Sequence, residues 1–216
     1  MIYALEARGF TLTYPGGSNS VFPALDFTVE AGETVALRGE SGSGKSSLML
    51  CACGMIPKNV RAEIAGELLL FGRPPCDYSQ AELTRTVGMV FQDPETQLFC
   101  GTAELETAFS LENLLVPREE MAVRVREALE TVGLWAQRGD SPEFLSGGQK
   151  QLLALAAALV QKPRLLLLDE ALSQLDEFAA DSMMTVLWRL QREGQTMLVA
   201  DHDDVRCAFA HRVIEI

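Results

Sequence analysis

Gly39-Glu40-Ser41-Gly42-Ser43-Gly44-Lys45-Ser46 has a glycine, four free positions and then Gly-Lys-Ser, the pattern of a phosphate-binding P-loop. A run that reads as a strand, Thr34 to Arg38, leads in, and a run that reads as a helix, Lys45 to Gly54, leads out. The glycines let the backbone curl so that successive N–H groups face inward as an anion nest. The helix N-terminus adds positive partial charge at the same spot. Lys45 can then reach the β- and γ-phosphates, and the Ser46 hydroxyl can ligate Mg²⁺. A flexible Gly/Ser loop is the bland alternative. A chance match in a chain this long arises only about once in a hundred, and the flanking strand and helix stand where the motif needs them. The stretch points to nucleotide binding.

Upstream, Ile2 to Tyr14 reads as a strand, Pro15-Gly16-Gly17-Ser18 as a turn, and Ala24 to Val29 as a second strand that alternates. Glu30-Ala31-Gly32-Glu33 turns again into Thr34–Arg38, so an antiparallel sheet is expected to deliver the P-loop. Tyr14 stands where a flat ring can stack on adenine, and equally where a strand simply ends.

Downstream, Glu67 to Phe71 reads as a strand, Ser79 to Leu83 as one helical turn, and Thr86 to Phe91 as a strand ending at Gln92-Asp93-Pro94. From Thr102 to Val132 the period becomes helical. Pro117, Glu119 and Glu120 suit a helix start, Met121, Ala122, Val125, Leu129 and Val132 form an apolar face, and Gly133 stops it. A helical stretch inside an α/β pattern reads as an inserted lobe.

Leu145-Ser146-Gly147-Gly148-Gln149 then opens the apolar helix Leu152 to Val160, which Pro163 ends. Ser-Gly-Gly at a helix start is a second anion-ready terminus, or else an ordinary Ser cap. The run Leu165–Leu168 fits a strand buried on both faces of a parallel sheet. It ends in Asp169-Glu170, at the edge where open α/β sheets bind ligands. Asp169 suits Mg²⁺, and Glu170 suits proton acceptance from an attacking water. Leu175-Asp176 precedes a helix from Glu177 to Glu193, closed by Gly194. Met197 to Ala200 reads as a strand ending at Asp201-His202, with His202 level with Gln92 and Glu170. Asp203 to Ala210 reads as helix and Val213 to Ile216 as a last strand, with His211 structural.

The bulk numbers agree with a folded globular protein. The 216 residues are 48% hydrophobic and 22% charged, enough for one domain with an inserted lobe. A net charge of −12 disfavours nucleic acid as a partner, while a local nest still holds phosphate. The five cysteines (Cys51, Cys53, Cys76, Cys100, Cys207) show no metal-ligand spacing and no disulfide framework. They read as buried thiols in reducing cytosol. The N-terminus lacks the pattern of a signal peptide, and the longest apolar run, Leu152 to Val160, is too short to span a bilayer. Membrane attachment is therefore expected to come through a partner.

Taken in order, GESGSGKS, the glutamine of VFQDP, LSGGQ, LLLLDE and the histidine of ADHD resemble the ATP-binding subunits of ABC transporters, over nearly the whole chain. Val90-Phe91-Gln92-Asp93-Pro94-Glu95-Thr96-Gln97-Leu98-Phe99 and Thr107-Ala108-Phe109-Ser110-Leu111-Glu112-Asn113 are similar to the energy-coupling factor branch. That branch powers uptake of vitamins and transition-metal ions in prokaryotes. The resemblance implies an α/β P-loop NTPase fold: a RecA-like core with an antiparallel β sheet leading in and an inserted α-helical subdomain. The ATP-binding core would be 1–91 and 161–216, and the helical subdomain 92–160.

It also implies roles. Tyr14 would stack on adenine, and Gly39, Glu40, Ser41, Gly42, Ser43, Gly44, Lys45, Ser46 and Ser47 would hold the phosphates. Ser46 and Asp169 would serve Mg²⁺, Gln92 would touch Mg²⁺ or the attacking water and sense the transmembrane partner, Glu170 would be the base, and His202 would contact the γ-phosphate. Ser146, Gly147, Gly148 and Gln149 would contact ATP held by a second ATP-binding subunit, identical or paralogous, and Asp176 would report across the pair. An integral membrane component would be the other partner, with this chain peripheral on the cytoplasmic face of a prokaryotic membrane. Three departures bear on the seam between subunits: Ala171-Leu172 where Pro-Thr is usual, Leu152 where an arginine is usual, and an end at Ile216, where relatives continue into a region that helps pairing. The rival readings are a soluble ABC ATPase, such as one in iron–sulfur assembly, and a P-loop kinase, which does not need LSGGQ.

Overall fold

The computed structural model describes residues 2–203 and 207–216. Two sheets organise the chain. β1 (Leu5–Thr13), β2 (Leu25–Val29) and β4 (Glu63–Leu70) form an antiparallel sheet in the order β2-β1-β4. β3 (Thr34–Arg38), β5 (Val87–Val90), β6 (Leu165–Asp169), β7 (Thr196–Ala200) and β8 (Arg212–Glu215) form a parallel sheet in the order β5-β6-β7-β3-β8.

The placement of β3 corrects the expectation from the sequence. Thr34–Arg38 does not extend the antiparallel sheet. It lies between β7 and β8, parallel to both. Residues 34–37 are all buried, so both faces of the strand need cover, which a sheet with packing on both sides supplies. β2 has its buried residues at alternate positions and suits a sheet with one wet face. The P-loop therefore leaves the interior of the parallel sheet.

β6 shows how the sheet divides the core. Leu166 and Leu168 enter one apolar cluster, and Leu165 and Leu167 enter the other, as period-two geometry requires. The second cluster is closed by α1 (Lys45–Ala52) and the antiparallel sheet. The first is closed by α6 (Glu177–Arg192) and by the lobe helices α3 (Ala103–Asn113), α4 (Arg118–Thr131) and α5 (Gly147–Leu159). It runs unbroken from α4 and α5 into β6 and α6. Leu152, in the position where the resemblance expects arginine, is buried in that cluster, and so are Ala171 and Leu172.

Smaller differences follow from packing. The helical turn at 79–83 extends as α2 (Gln80–Thr86), opened by a reciprocal Ser79–Glu82 capping box. On α4, Ala122 is exposed and Ala128 is the buried alanine, beside Val125 and Leu129. Pro117 is the N-cap, one position before the first turn. Cys51 and Cys207 are buried, but Cys53 and Cys100 are half-buried and Cys76 is exposed, so the cysteines do not share one environment. The expected helix from Asp203 lies in part outside the described residues. Among the described residues, no helix is long and apolar enough to cross a membrane.

Candidate functional site

The sheet order places four loops side by side. Gln92 follows β5, Asp169-Glu170 close β6, His202 follows β7, and the P-loop follows β3. All four strands are parallel, so their C-terminal ends share one edge.

Steric limits shape the P-loop. A Cβ on Gly39 would come 2.4 Å from Ile216 O and 2.5 Å from Ser43 Oγ. Gly44, the N-cap of α1, has φ +100°, and a Cβ there would press on Phe22 and Val21. Both positions therefore demand glycine. Glu40, Ser41 and Gly42 form the exposed rim of the loop. Lys45 is 3% exposed, and its Nζ donates to Gly39 O at 2.8 Å and Glu40 O at 3.0 Å. The same Nζ lies 3.4 Å from Glu170 Oε1. Tyr14 and Ser47 share a hydrogen bond of 3.0 Å between their hydroxyls, which holds the tyrosine against the P-loop helix.

Asp169 is 6% exposed, and its Oδ1 is buried with no hydrogen-bond partner. Burial pushes its carboxyl above the usual carboxylate range, against the pull of the Ser46 hydroxyl. A buried carboxylate oxygen without a donor, beside a hydroxyl, is a hard oxygen pair that fits a magnesium ion. Among the described residues, no three His, Cys, Asp or Glu side chains form a group that could hold a metal ion. Phosphate oxygens and water would have to complete the coordination.

Glu170 sits on a left-handed backbone with φ +46°, uncommon for a residue with a Cβ. Its N–H donates to Ala200 O at 2.9 Å, and its carbonyl accepts from Ser173 N and Oγ at 3.0 and 2.8 Å. Gln92 Nε2 reaches Ser173 Oγ at 3.4 Å, so Ser173 stands between Gln92 and Glu170. Sequence reasoning missed Ser173, because only the fold brings the loops after β5 and β6 together. The His202 side chain is 58% exposed, with Nδ1 3.7 Å from Asp201 Oδ1.

Ser146 and Gly147 are open to solvent at the tip of α5. Gln149 N donates to Ser146 Oγ at 3.3 Å, and Ser146 N donates to Gln149 Oε1 at 2.9 Å. The cap reading of this stretch holds, with the serine as acceptor, and the arrangement leaves its hydroxyl proton available to an outside partner. Among the described residues, no hydrogen bond joins this tip to the P-loop. It adjoins α6 instead, where a Cβ on Gly148 would lie 2.3 Å from the Ala179 Cβ. Asp176, also assigned to the site, caps α6 by accepting from Ala179 N at 2.8 Å.

Known proteins resemble this chain in sequence and in fold. The family model described as ABC transporter matches residues 22–173. The energy-coupling factor transporter ATP-binding protein EcfA of Methanocaldococcus jannaschii is 37% identical over 98% of this chain and 75% of its own length. Among solved structures, cbiO1 from Clostridium perfringens, part of the ABC transporter complex cbiONQ, superposes with a TM-score of 0.87 at 30% identity, covering 100% of this chain and 85% of the other. A dimeric ATP-binding cassette in a post-hydrolysis state, bound to ADP and phosphate, superposes with a TM-score of 0.82 at 27% identity, covering 98% and 94%.

Proposed function

The chain belongs to the ABC transporter family, and from that premise we propose that it is an ATP-binding and ATP-hydrolysing subunit of the energy-coupling factor type. It would drive import of a vitamin or transition-metal ion through an integral membrane partner. The observation that carries the reading is the meeting of the P-loop, Asp169-Glu170, Gln92 and His202 at neighbouring strand ends. Similarity to EcfA and cbiO1 favours this branch over a soluble ABC ATPase. The protein would work on the cytoplasmic face of a prokaryotic membrane, attached through its partner.

In this reading Tyr14 stacks on adenine and residues 39–47 hold the phosphates. Lys45 leaves Gly39 O, Glu40 O and Glu170 for the β- and γ-phosphates. Ser46, Asp169 and Gln92 hold Mg²⁺, which when bound neutralises charge on the phosphate oxygens. Glu170, released from Lys45, accepts the proton of the attacking water. His202, open at the rim, donates to the γ-phosphate.

A second subunit completes the site. Ser146, Gly147, Gly148 and Gln149 of each copy face the ATP of the other, with Asp176 alongside. Moving an open/closed equilibrium from 1:99 to 99:1 takes about 5.5 kcal/mol of differential binding. Charge-assisted hydrogen bonds contribute roughly 1.5–3 kcal/mol each. A few bonds across the seam therefore suffice, and hydrolysis removes their acceptors. The test is Glu170→Gln, which should keep ATP binding and lower turnover about 10²–10⁴-fold. Near-normal turnover in that variant rules out Glu170 as the base.

A further inference from the structure

β5 ends the parallel sheet and, among the described residues, pairs only with β6. Its outer side therefore presents backbone groups with no strand to meet them. Gln97 meets them. Its Nε2 donates to Met89 O at 3.0 Å, and its Oε1 accepts from Phe91 N at 3.3 Å. A carbonyl and the N–H two residues on are the pair that one residue of a parallel neighbour would bind. The Gln97 amide thus replaces one residue of a missing strand, and it closes the loop 92–96 at its base.

The other polar group of Phe91 is held from a different direction. Phe91 O accepts from Gln151 Nε2 at 2.9 Å. Gln151 is 1% exposed and lies on α5, whose tip is Ser146–Gln149. Lys150 adds an ion pair to Glu95 inside the same loop. Phe91 is thereby pinned by two side-chain amides, and the next residue is Gln92. Among the described residues, the Gln92 side chain itself has only the long hydrogen bond to Ser173, so its place is set mainly by the backbone before it.

We propose that Gln97 and Gln151 are positioning residues for Gln92, and that the Gln151–Phe91 bond makes a displacement of the α5 tip move Gln92. The proposal rests on the reading of Gln92 given above. The contrasting account is that the two amides merely satisfy backbone groups. The two accounts part when Gln92 is removed.

The test measures ATP turnover by the transporter purified with its membrane partner. Gln151→Met and Gln97→Met are made singly and together with Gln92→Ala. Methionine keeps length and apolar bulk and removes the amide. Gln151→Met, which loses one hydrogen bond, should lower kcat about three- to tenfold, and Gln97→Met, which loses two, at least as much, each with KM for ATP unchanged. Neither should add to the loss caused by Gln92→Ala. A loss that multiplies in the Gln92→Ala background overturns the proposal, and so does wild-type kcat in both singles. Gln97 is only half-buried, so its variant decides the matter even if Gln151→Met does not fold. Backbone hydrogen exchange over residues 91–98 is the arm that needs no catalysis. It should quicken in Gln97→Met, and unchanged exchange overturns the clip. If the wild-type transporter releases no phosphate, the functional reading falls, while the exchange arm still decides the clip.

Discussion

Gly148→Ala tests whether this position is glycine because Ala179 leaves no room for a side chain. The added Cβ would stand 2.3 Å from the Ala179 Cβ and 3.5 Å from its Cα. Carbon atoms settle at about 3.5–4.0 Å, so the methyls must part by more than about 1 Å. Ala179 has no rotamer to yield, and it sits in the first turn of α6, so the α5 tip must tilt. Overpacking of this kind costs roughly 1–3 kcal/mol, and replacing a helical glycine returns about 1 kcal/mol. Gly147→Ala is the built-in control, because its Cβ meets nothing within 4 Å and only the propensity gain remains. The two neighbours should therefore differ by about 1–3 kcal/mol. At about 2–4 °C per kcal/mol for a chain of this size, the gap in Tm is roughly 2–12 °C. A misplacement of about 1 Å can cost about 10²-fold in rate, so Gly148→Ala should also lose most of its ATP turnover. Calorimetry and phosphate release are measured on Gly148→Ala, Gly147→Ala, Ala179→Gly and the double variant Gly148→Ala/Ala179→Gly. Removing the Ala179 methyl should restore both Tm and turnover to the Gly148→Ala protein. Equal Tm in the two alanine variants, or a double variant as slow as Gly148→Ala, would refute the packing argument.

Three further outcomes follow from the site and its surroundings. Lys45→Ala should weaken ATP binding in a fluorescent-nucleotide titration, since its buried ammonium lies against the P-loop carbonyls of Gly39 and Glu40; unchanged affinity would count against the loop's assignment. Burial pushes the Cys51 and Cys53 thiols up to about 12 and about 11, which keeps them protonated near neutral pH. A maleimide should therefore label exposed Cys76 first, and mass spectrometry showing Cys51 modified as fast would contradict that burial. The Ser79 backbone N–H, with the Ser79 hydroxyl and Arg73, lowers the Glu82 carboxyl from 4.5 to about 2. A depressed folded-state pKa gives stability that is present above the unfolded value and lost as pH falls through the folded one. The capping box should therefore hold until the pH falls from about 4.5 toward 2, and a Glu82 carboxyl titrating near 4.5 by NMR would deny the bond.

What could be read from the sequence was local. The P-loop, the Leu165–Leu168 strand and its terminal Asp169-Glu170 declare themselves through spacing and through an apolar run too short for a helix. Thr34–Arg38 was legible as a strand, but its neighbours were not, because β7 and β8 lie far along the chain. A turn before a strand predicts pairing with the strand before it, and burial on both faces overruled that. Ala122 and Ala128 both fit a helical period, and only the direction of the neighbouring helices chooses between them. Ser173, Gln97 and Gln151 gain their meaning from backbone groups on other elements, which no spacing rule reaches.

The left-handed backbone at Glu170 has a consequence for how the chain tolerates change. Side chains with a Cβ rest poorly there, at a cost on the order of 1–3 kcal/mol, while glycine or asparagine sits at ease. A replacement of that kind would relax the backbone but take away the carboxylate that faces the buried Lys45 ammonium, and on the reading of Glu170 as the base it would leave a mute molecule. Backbone ease and charge pairing therefore pull in opposite directions at this one position, and a screen for heat resistance alone would weigh the first against the second without regard to turnover.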